Sequence, residues 1–240
     1  DFVETGYAPG ASSGFSISMW IKTDNLSTKL SFASDAISTG AAGGFGILSV
    51  STGGTNSYDN SFYVRVRNQA GTTSQYNSVG GYNARADVCD GNWHHLCFTI
   101  NGNALKIYKD GGDSAGSNTQ GAPYLSTTVT TTDGFNANIS NYWMDGNQDE
   151  VAMFEYELSG AQVSSIYNSG VPADLGTDGL NLSPTLWYRM GDAVGDTNSS
   201  GGTPANGDSI GTIKDLGSGS NDGSQSTASN KPTFSNDVPS

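Results

Sequence analysis

The residues whose types most suggest a transition-metal site are His94, His95 and Cys97, which share one short alternating stretch. Zinc accepts imidazole and thiolate ligands. Neighbours on a strand project to opposite faces, however, so His94 and His95 cannot share an ion, and only His95 and Cys97 point the same way. Packing beside Trp93 explains these residues better than a metal does. Asp149, Glu150 and Glu155 are the carboxylates to weigh for acid–base work, since two carboxyls about 5 Å apart can cleave a glycosidic bond with retention. Glu150 and Glu155 lie five positions apart and face opposite sides of a strand. Gly10-Ala11-Ser12-Ser13-Gly14 matches Gly-x-Ser-x-Gly. A nucleophile elbow needs a strand before it and a helix after it, whereas here a strand follows.

Two binding chemistries remain. Asp145-Gly146-Asn147-Gln148-Asp149 places three oxygen-bearing side chains, Asp145, Asn147 and Asp149, at a spacing of two around a glycine. A tight loop of this kind can wrap Ca²⁺, which takes six to eight oxygens at about 2.3–2.6 Å; an Asx-turn before a strand explains the same letters. A pyranose asks for an aromatic platform beside amide or carboxylate partners, because it has an apolar face and a ring of hydroxyls. Tyr58-Asp59-Asn60, Tyr76-Asn77, Tyr82-Asn83 and Tyr142-Trp143 each offer that pairing in Gly-rich surroundings. Capping of the core, or contact with a partner chain, is the competing explanation for each tyrosine.

The chain that must position these groups has 240 residues, enough for one all-β sandwich with a real core. Charged residues make up 14%, with 23 acids against 10 bases and a formal net charge of -13. Such a surface repels a phosphate backbone or an anionic membrane, so nucleic acid is excluded as a partner and divalent cations are not. No apolar stretch approaches the roughly 20 residues that cross a bilayer, so membrane insertion is not expected. No signal peptide is visible and the first residue is Asp1, so the expectation is a processed chain or one that starts inside a longer sequence. Cys89 and Cys97 are the only cysteines. With Cys89 placed opposite Trp93 across a hairpin, Cys97 lies about 13 Å along the strand, too far for a disulfide.

Phe15–Lys22 alternates apolar and other residues, the period-2 mark of a half-buried strand, and Phe62–Arg67 repeats it with Phe62, Val64 and Val66 inward. Leu96, Phe98 and Ile100 line one face of a third strand. It ends at Asn101-Gly102, the strongest short hairpin signal, and returns as Ala104–Lys109 before Asp110-Gly111-Gly112. One helix is marked near 160–168: Ser159 with Gln162 forms a capping box, Leu158 can staple onto Val163, and Gly170 and Pro172 close it. After about Gly191 the chain is mostly Gly, Ser, Asn, Asp and Thr with sparse apolar anchors. By composition alone that stretch reads as disordered.

Asp90-Gly91-Asn92-Trp93-His94-His95-Leu96, then Asn101-Gly102 and Leu105–Gly111, resembles the central hairpin of laminin-G-like jelly rolls. Asp149–Ser159 looks like the last strand of that family with its following helix, and Asp1–Thr5 resembles the end of its first strand. The resemblance implies an all-β, two-sheet antiparallel jelly-roll sandwich of the concanavalin A-like type over residues 1–175. Residues 176–240 are then a Gly/Ser/Asn/Asp-rich extension with a strand at 186–190. Related jelly rolls include glucanases with a Glu-x-Asp-x-x-Glu strand; here no Asp stands at position 152, so that pattern fails. The family commonly carries calcium, which makes Ca²⁺ the cofactor to test at Asp145–Asp149. Leu186–Asp192 and Ile213–Gly223 resemble the segment that usually precedes the first strand, displaced here to follow the last one. That segment can close the sandwich as a permuted strand, begin a second repeat, or dock on a neighbour. The arrangement is similar to structural proteins of marine bacteriophages.

The resulting expectation is a non-catalytic, surface-exposed module, extracellular or on a virion, that decorates a particle or fibre and binds a glycan or host surface. Other virion subunits or further copies of the chain are its expected partners. The alternative is a carbohydrate-binding or adhesion module of a secreted protein or polysaccharide-degrading enzyme. Architecture alone does not choose between them.

Overall fold

The computed structural model describes residues 3, 5, 7, 14–24, 30–34, 44–49, 62–67, 73–77, 88–101, 104–119 and 145–240, with backbone alone for 30–34, 44–49, 62–67, 73–77, 104–105 and 113–119. The described chain is mostly β and antiparallel, with one short α-helix. Strands β1 (Gly14–Lys22), β2 (Leu30–Ser34), β3 (Gly44–Ser49), β4 (Phe62–Arg67), β5 (Thr73–Asn77), β6 (Trp93–Asn101), β7 (Ala104–Lys109), β8 (Gly112–Thr119) and β9 (Asn147–Phe154) precede helix α1 (Gly160–Tyr167). After the helix come β10 (Leu186–Tyr188), β11 (Thr197–Asn198), β12 (Ile210–Ile213) and β13 (Gly223–Ser224). A six-stranded sheet runs β10-β9-β1-β6-β7-β8, a four-stranded sheet runs β2-β3-β4-β5, and β11-β12-β13 form a small third sheet.

The alternation in β1 builds the centre of the six-stranded sheet. Phe15, Ile17, Met19 and Ile21 join Leu96, Phe98, Val151, Met153, Leu186 and Tyr188 in one buried cluster, together with Ile210 and Ile213 of β12. The opposite face carries Cys97, Tyr108, Ala152, Phe154 and Trp187, and is covered by Leu158, Val163 and Ile166 at the helix and by Leu175. Both faces are therefore dry. Cys89 and Cys97 are free thiols, and they belong to the two different clusters. Cys89 lies in a turn, and Trp93 pairs with Lys22 of β1, which replaces the expected pairing of Trp93 with Cys89.

Local signals account for the connections. Asp110 (φ 50°) and Gly111 (φ 74°) form a two-residue loop between the paired Lys109 and Gly112, the geometry of a hairpin whose central positions both need positive φ. A Cβ on Gly111 would stand 2.8 Å from the Tyr167 ring, so the turn also packs against the helix end. The helix begins with the expected capping box between Ser159 and Gln162. It ends one residue after Tyr167, where Asn168 takes the left-handed conformation (φ 48°, ψ 44°), earlier than the Gly170–Pro172 signal indicated. Ser16 Oγ accepts from Leu158 N at 2.9 Å and donates to Tyr156 O at 2.8 Å, fixing the helix entry to β1.

The extension past Gly191 departs from its compositional reading. It is ordered by carboxylates that accept backbone N–H groups. Asp215 Oδ1 accepts from Trp187 N (3.0 Å) and Gly217 N (2.8 Å), and its Oδ2 accepts from Asn221 N (2.7 Å). Asp196 holds Lys214 N and Ala193 N, and Asp208 holds Ala205 N and the Asn198 side chain. β10 pairs with β9, and its outer edge is capped by Leu216 N on Trp187 O and Gly219 N on Thr185 O, both at 2.8 Å. The strand stops at Tyr188, two residues before the expected Met190. Arg189 turns aside to Asp192 through bonds of 3.0 and 2.9 Å, and Met190 has φ 54°.

Replacing Asp215 with Ala orphans three N–H groups at once. Charge-assisted bonds of this kind support an expected loss of about 2–4 kcal/mol in chemical denaturation, with earlier protease cleavage after Gly191. Unchanged denaturation and proteolysis would show that the apolar anchors alone hold the extension.

Candidate functional site

The two histidines diverge as strand alternation requires. His95 is fully buried on the helix-covered face, with Nε2 2.8 Å from Ser18 Oγ and its ring beside those of Trp20 and Tyr167. Burial pushes its pKa down to about 4, so it is neutral at physiological pH. His94 sits between Asp110 (Nδ1, 2.9 Å) and Asp90 (Nε2, 3.1 Å). Burial opposes its charge, but the hydrogen bonds to these carboxylates prevail and raise its pKa. Among the described residues, no group of three or more His, Cys, Asp or Glu side chains is placed to hold a metal ion.

The Asp145–Asp149 motif leads into β9. Thr23 Oγ1 donates to the Asp145 carbonyl at 2.6 Å, and Asn147 pairs with Lys22. A Cβ on Gly146 would lie 2.3 Å from Lys22 O, so this glycine is required where β9 crosses the end of β1, whether or not an ion binds there. Asp145 is exposed and Asp149 is 9% exposed. Burial, reinforced by the neighbouring Glu150 carboxylate, pushes Asp149 up to about 8.

A β-bulge changes what the carboxylates of β9 can do. Ser18 pairs with Ala152 and Trp20 with Asp149, so two residues of β9, Glu150 and Val151, stand opposite the single Met19. Glu150 takes φ 48° at this point. Bulges of this kind re-aim side chains. Glu150 Oε2 accepts from Trp187 Nε1 at 2.7 Å, and its Oε1 lies 3.3 Å from Arg189 Nε. Burial raises Glu150 to about 7, against the pull of the Trp187 hydrogen bond and Arg189. Glu155 accepts from Tyr7 OH at 2.8 Å, and Tyr7 belongs to the other cluster, so Glu150 and Glu155 serve opposite sides of the sheet. The Asp149–Glu150–Arg189–Asp192 grouping was missed in the sequence, because strict alternation hides a bulge. The non-glycine αL residue is visible in the structure alone.

At the adjacent end of the sheet, Trp93 is half-buried while Trp20 and Trp187 are 2% and 5% exposed. Trp93 and Lys22 form a cross-strand pair, and both donate to Asp237: Nε1 to Oδ1 at 3.0 Å and Nζ to Oδ2 at 2.6 Å. Of the aromatic and amide residues proposed for sugar contact, Tyr58, Asp59, Asn60, Tyr82, Tyr142 and Trp143 lie outside the described residues. Tyr76 and Asn77 belong to β5, the edge strand of the four-stranded sheet, and not to a loop.

A six-stranded and a four-stranded antiparallel sheet, with a helix directly after β9, define a jelly roll of the lectin type. Residues 1–164 match the laminin G family model described as the concanavalin A-like lectin/glucanases superfamily, and the chain belongs to that family. No curated protein matches it in sequence. Among solved structures, the chain is similar to a candidate carbohydrate-binding protein from Bacteroides ovatus, at 16% identity and TM-score 0.56, over 99% of this chain and 58% of that one. It is also similar to domain 4 of an extracellular arabinanase from Geobacillus stearothermophilus, solved with arabinotriose (20% identity, 68% and 69% coverage, TM-score 0.42). A third is the heptameric SAP-like pentraxin from Limulus polyphemus (12% identity, 69% and 74% coverage, TM-score 0.44). The chain thus spans little more than half the length of the Bacteroides protein.

The raised Asp149 carboxyl makes stability pH-dependent with a definite sign. Between about pH 4 and pH 8 the unfolded chain releases this proton while the folded chain keeps it, so the folded state loses stability as pH rises through the window. Asp149→Asn is expected to match the parent below pH 4 and to exceed it by on the order of a few kcal/mol by pH 8. Parallel stability curves for the two proteins across that range would disprove the assignment.

Proposed function

We propose that this chain is a non-catalytic glycan-binding module that works outside the cell, as part of a longer protein or assembly. The observation that carries the reading is the chain-long likeness to the Bacteroides ovatus candidate carbohydrate-binding protein, which includes the extension that the family model does not reach. The site chemistry agrees. Asp149 and Glu150 are the β9 carboxyls with the perturbed acidity expected of catalytic groups, but they lie on the face covered by the helix and the 171–187 segment. Glu150 is tied to Trp187 and Arg189 and its side chain is 11% exposed. This enclosure supports a binding role over a hydrolytic one.

The aromatic–amide pairs around Tyr58, Tyr76, Tyr82 and Trp143 are the sugar contacts assigned by this reading. Among the described residues, no helix is long and apolar enough to cross a membrane, which is compatible with a displayed module. A place on a virion is the more specific form of display. Its motifs, Leu186–Asp192 and Ile213–Gly223, make contacts within the chain through the β10–β9 pairing and the Asp215 bonds, and this favours the general form.

A glycan array probed with the full chain, with and without EDTA, tests the reading. Saturable binding to a defined glycan family, with no release of reducing ends from that glycan, is expected. Silence across the array at high protein concentration would reject glycan binding. Loss of binding in EDTA, restored by calcium, would show that a cation takes part, and its abolition in Asp145→Ala would place that cation at the Asp145–Asp149 loop.

A further inference from the structure

The end of the six-stranded sheet holds one carboxylate between two donors whose separation is set by strand pairing. Lys22 and Trp93 are directly opposed in the β1–β6 ladder, and Asp237 places one oxygen on each: 2.6 Å to Nζ and 3.0 Å to Nε1. We propose that the Lys22–Trp93 pair is a receptor for the carboxylate of an acidic sugar, a uronic acid residue of a glycan, and that Asp237 occupies it as an internal competitor.

Four observations converge on this assignment. An ammonium and an indole N–H on adjacent strands fit the two oxygens of one carboxylate, and charge-assisted bonds of this type are stronger than neutral ones. Hydrogen bonds from Lys22 and Trp93 hold the Asp237 carboxyl below its ordinary range, so the pair selects the ionised form. Trp93 is also half-buried, whereas Trp20 and Trp187 are buried, and an aromatic side chain beside a cation suits a pyranose bearing a carboxylate. Finally, the occupant is replaceable. The side chains of Lys22 and Asp237 are 32% and 46% exposed, and exposed ion pairs of this kind hold weakly.

The displaced Asp237 keeps its charge, so the net charge of -13 opposes an acidic ligand at long range, and recognition rests on the local Lys22–Trp93 donors. Asp237 is itself anchored from one side by Ser235 Oγ, which accepts its backbone N–H at 3.1 Å, while Asn236 N donates to Asn206 Oδ1 at 3.0 Å. The segment can therefore keep its course when the Asp237 side chain is displaced.

The inference rests on the glycan-binding reading for the class of ligand, and its test separates the two. The full chain, Asp237→Ala and the milder Asp237→Asn are titrated with galacturonate oligomers and with neutral galactose oligomers. The readout is the indole N–H resonance of Trp93, assigned by its loss in Trp93→Phe. Both Asp237 variants are expected to bind galacturonate with a saturable Trp93 shift that weakens with added salt. The parent should bind at least about tenfold more weakly, equivalent to one decade in Kd, and Lys22→Met in the Asp237→Ala background should abolish the shift. Folded Asp237 variants that show no saturable Trp93 shift, or binding that survives Lys22→Met, would overturn the receptor, whatever the array gives for neutral glycans. Galacturonate binding at Trp93 with an array silent for neutral glycans would uphold it.

Discussion

Everything in the described structure depends on the burial of strand β1 on both faces. Its alternating residues feed one cluster through Phe15, Ile17, Met19 and Ile21, and the intervening Ser16, Ser18 and Trp20 are equally enclosed, each at most 2% exposed. A strand whose second face carries Ser and Trp must have that face covered by elements able to satisfy hydroxyls and an indole. The turn before helix α1, strand β6 and the helix itself do so. Ser16 takes the Leu158 N–H, Ser18 meets His95, and Trp20 stacks at 5.7 Å on Tyr167. The helix is thus part of the fold's polar accounting as much as of its apolar packing.

The extension follows from the same constraint by another route. Its apolar content is too low to order it by burial alone: Ile210 and Ile213 are its fully buried anchors in the central cluster, with Phe234 packed against it. What it has in excess is aspartate, and each of Asp196, Asp208 and Asp215 gathers N–H groups from loops that have few partners otherwise. The excess of acidic residues is therefore also structural. Asp215 joins the two roles, since it caps the backbone of Trp187 at the outer edge of β10 and leaves that edge closed to further strand pairing.

The bulge at Glu150 shows how a local irregularity separates chemistry from appearance. Two adjacent carboxyls with raised pKa values would mark an active site in an open cleft. Here they are sealed beneath Trp187 and tied to Arg189, so their altered acidity reports burial and costs stability at high pH. The exposed chemistry lies at the neighbouring sheet end instead, where register opposes Lys22 to Trp93.

Much of the framework was legible in residue order alone. The alternation of Phe15–Lys22 and Phe62–Arg67, the Ala104–Lys109 return strand with its Asp110-Gly111 turn, and the Ser159–Gln162 capping box all depend on contacts within a few positions. Sequence therefore determined these strands, the helix and the failure of the two histidines to share an ion. Tertiary structure decided what needs partners far apart in the chain: the order given to the extension by carboxylates reaching across it, the bulge that turns Glu150 toward Trp187, the seating of Trp93 opposite Lys22, and the capture of Asp237 between them. No local periodicity encodes such contacts, because each is fixed by the register between strands and by which backbone donors burial leaves unpaired.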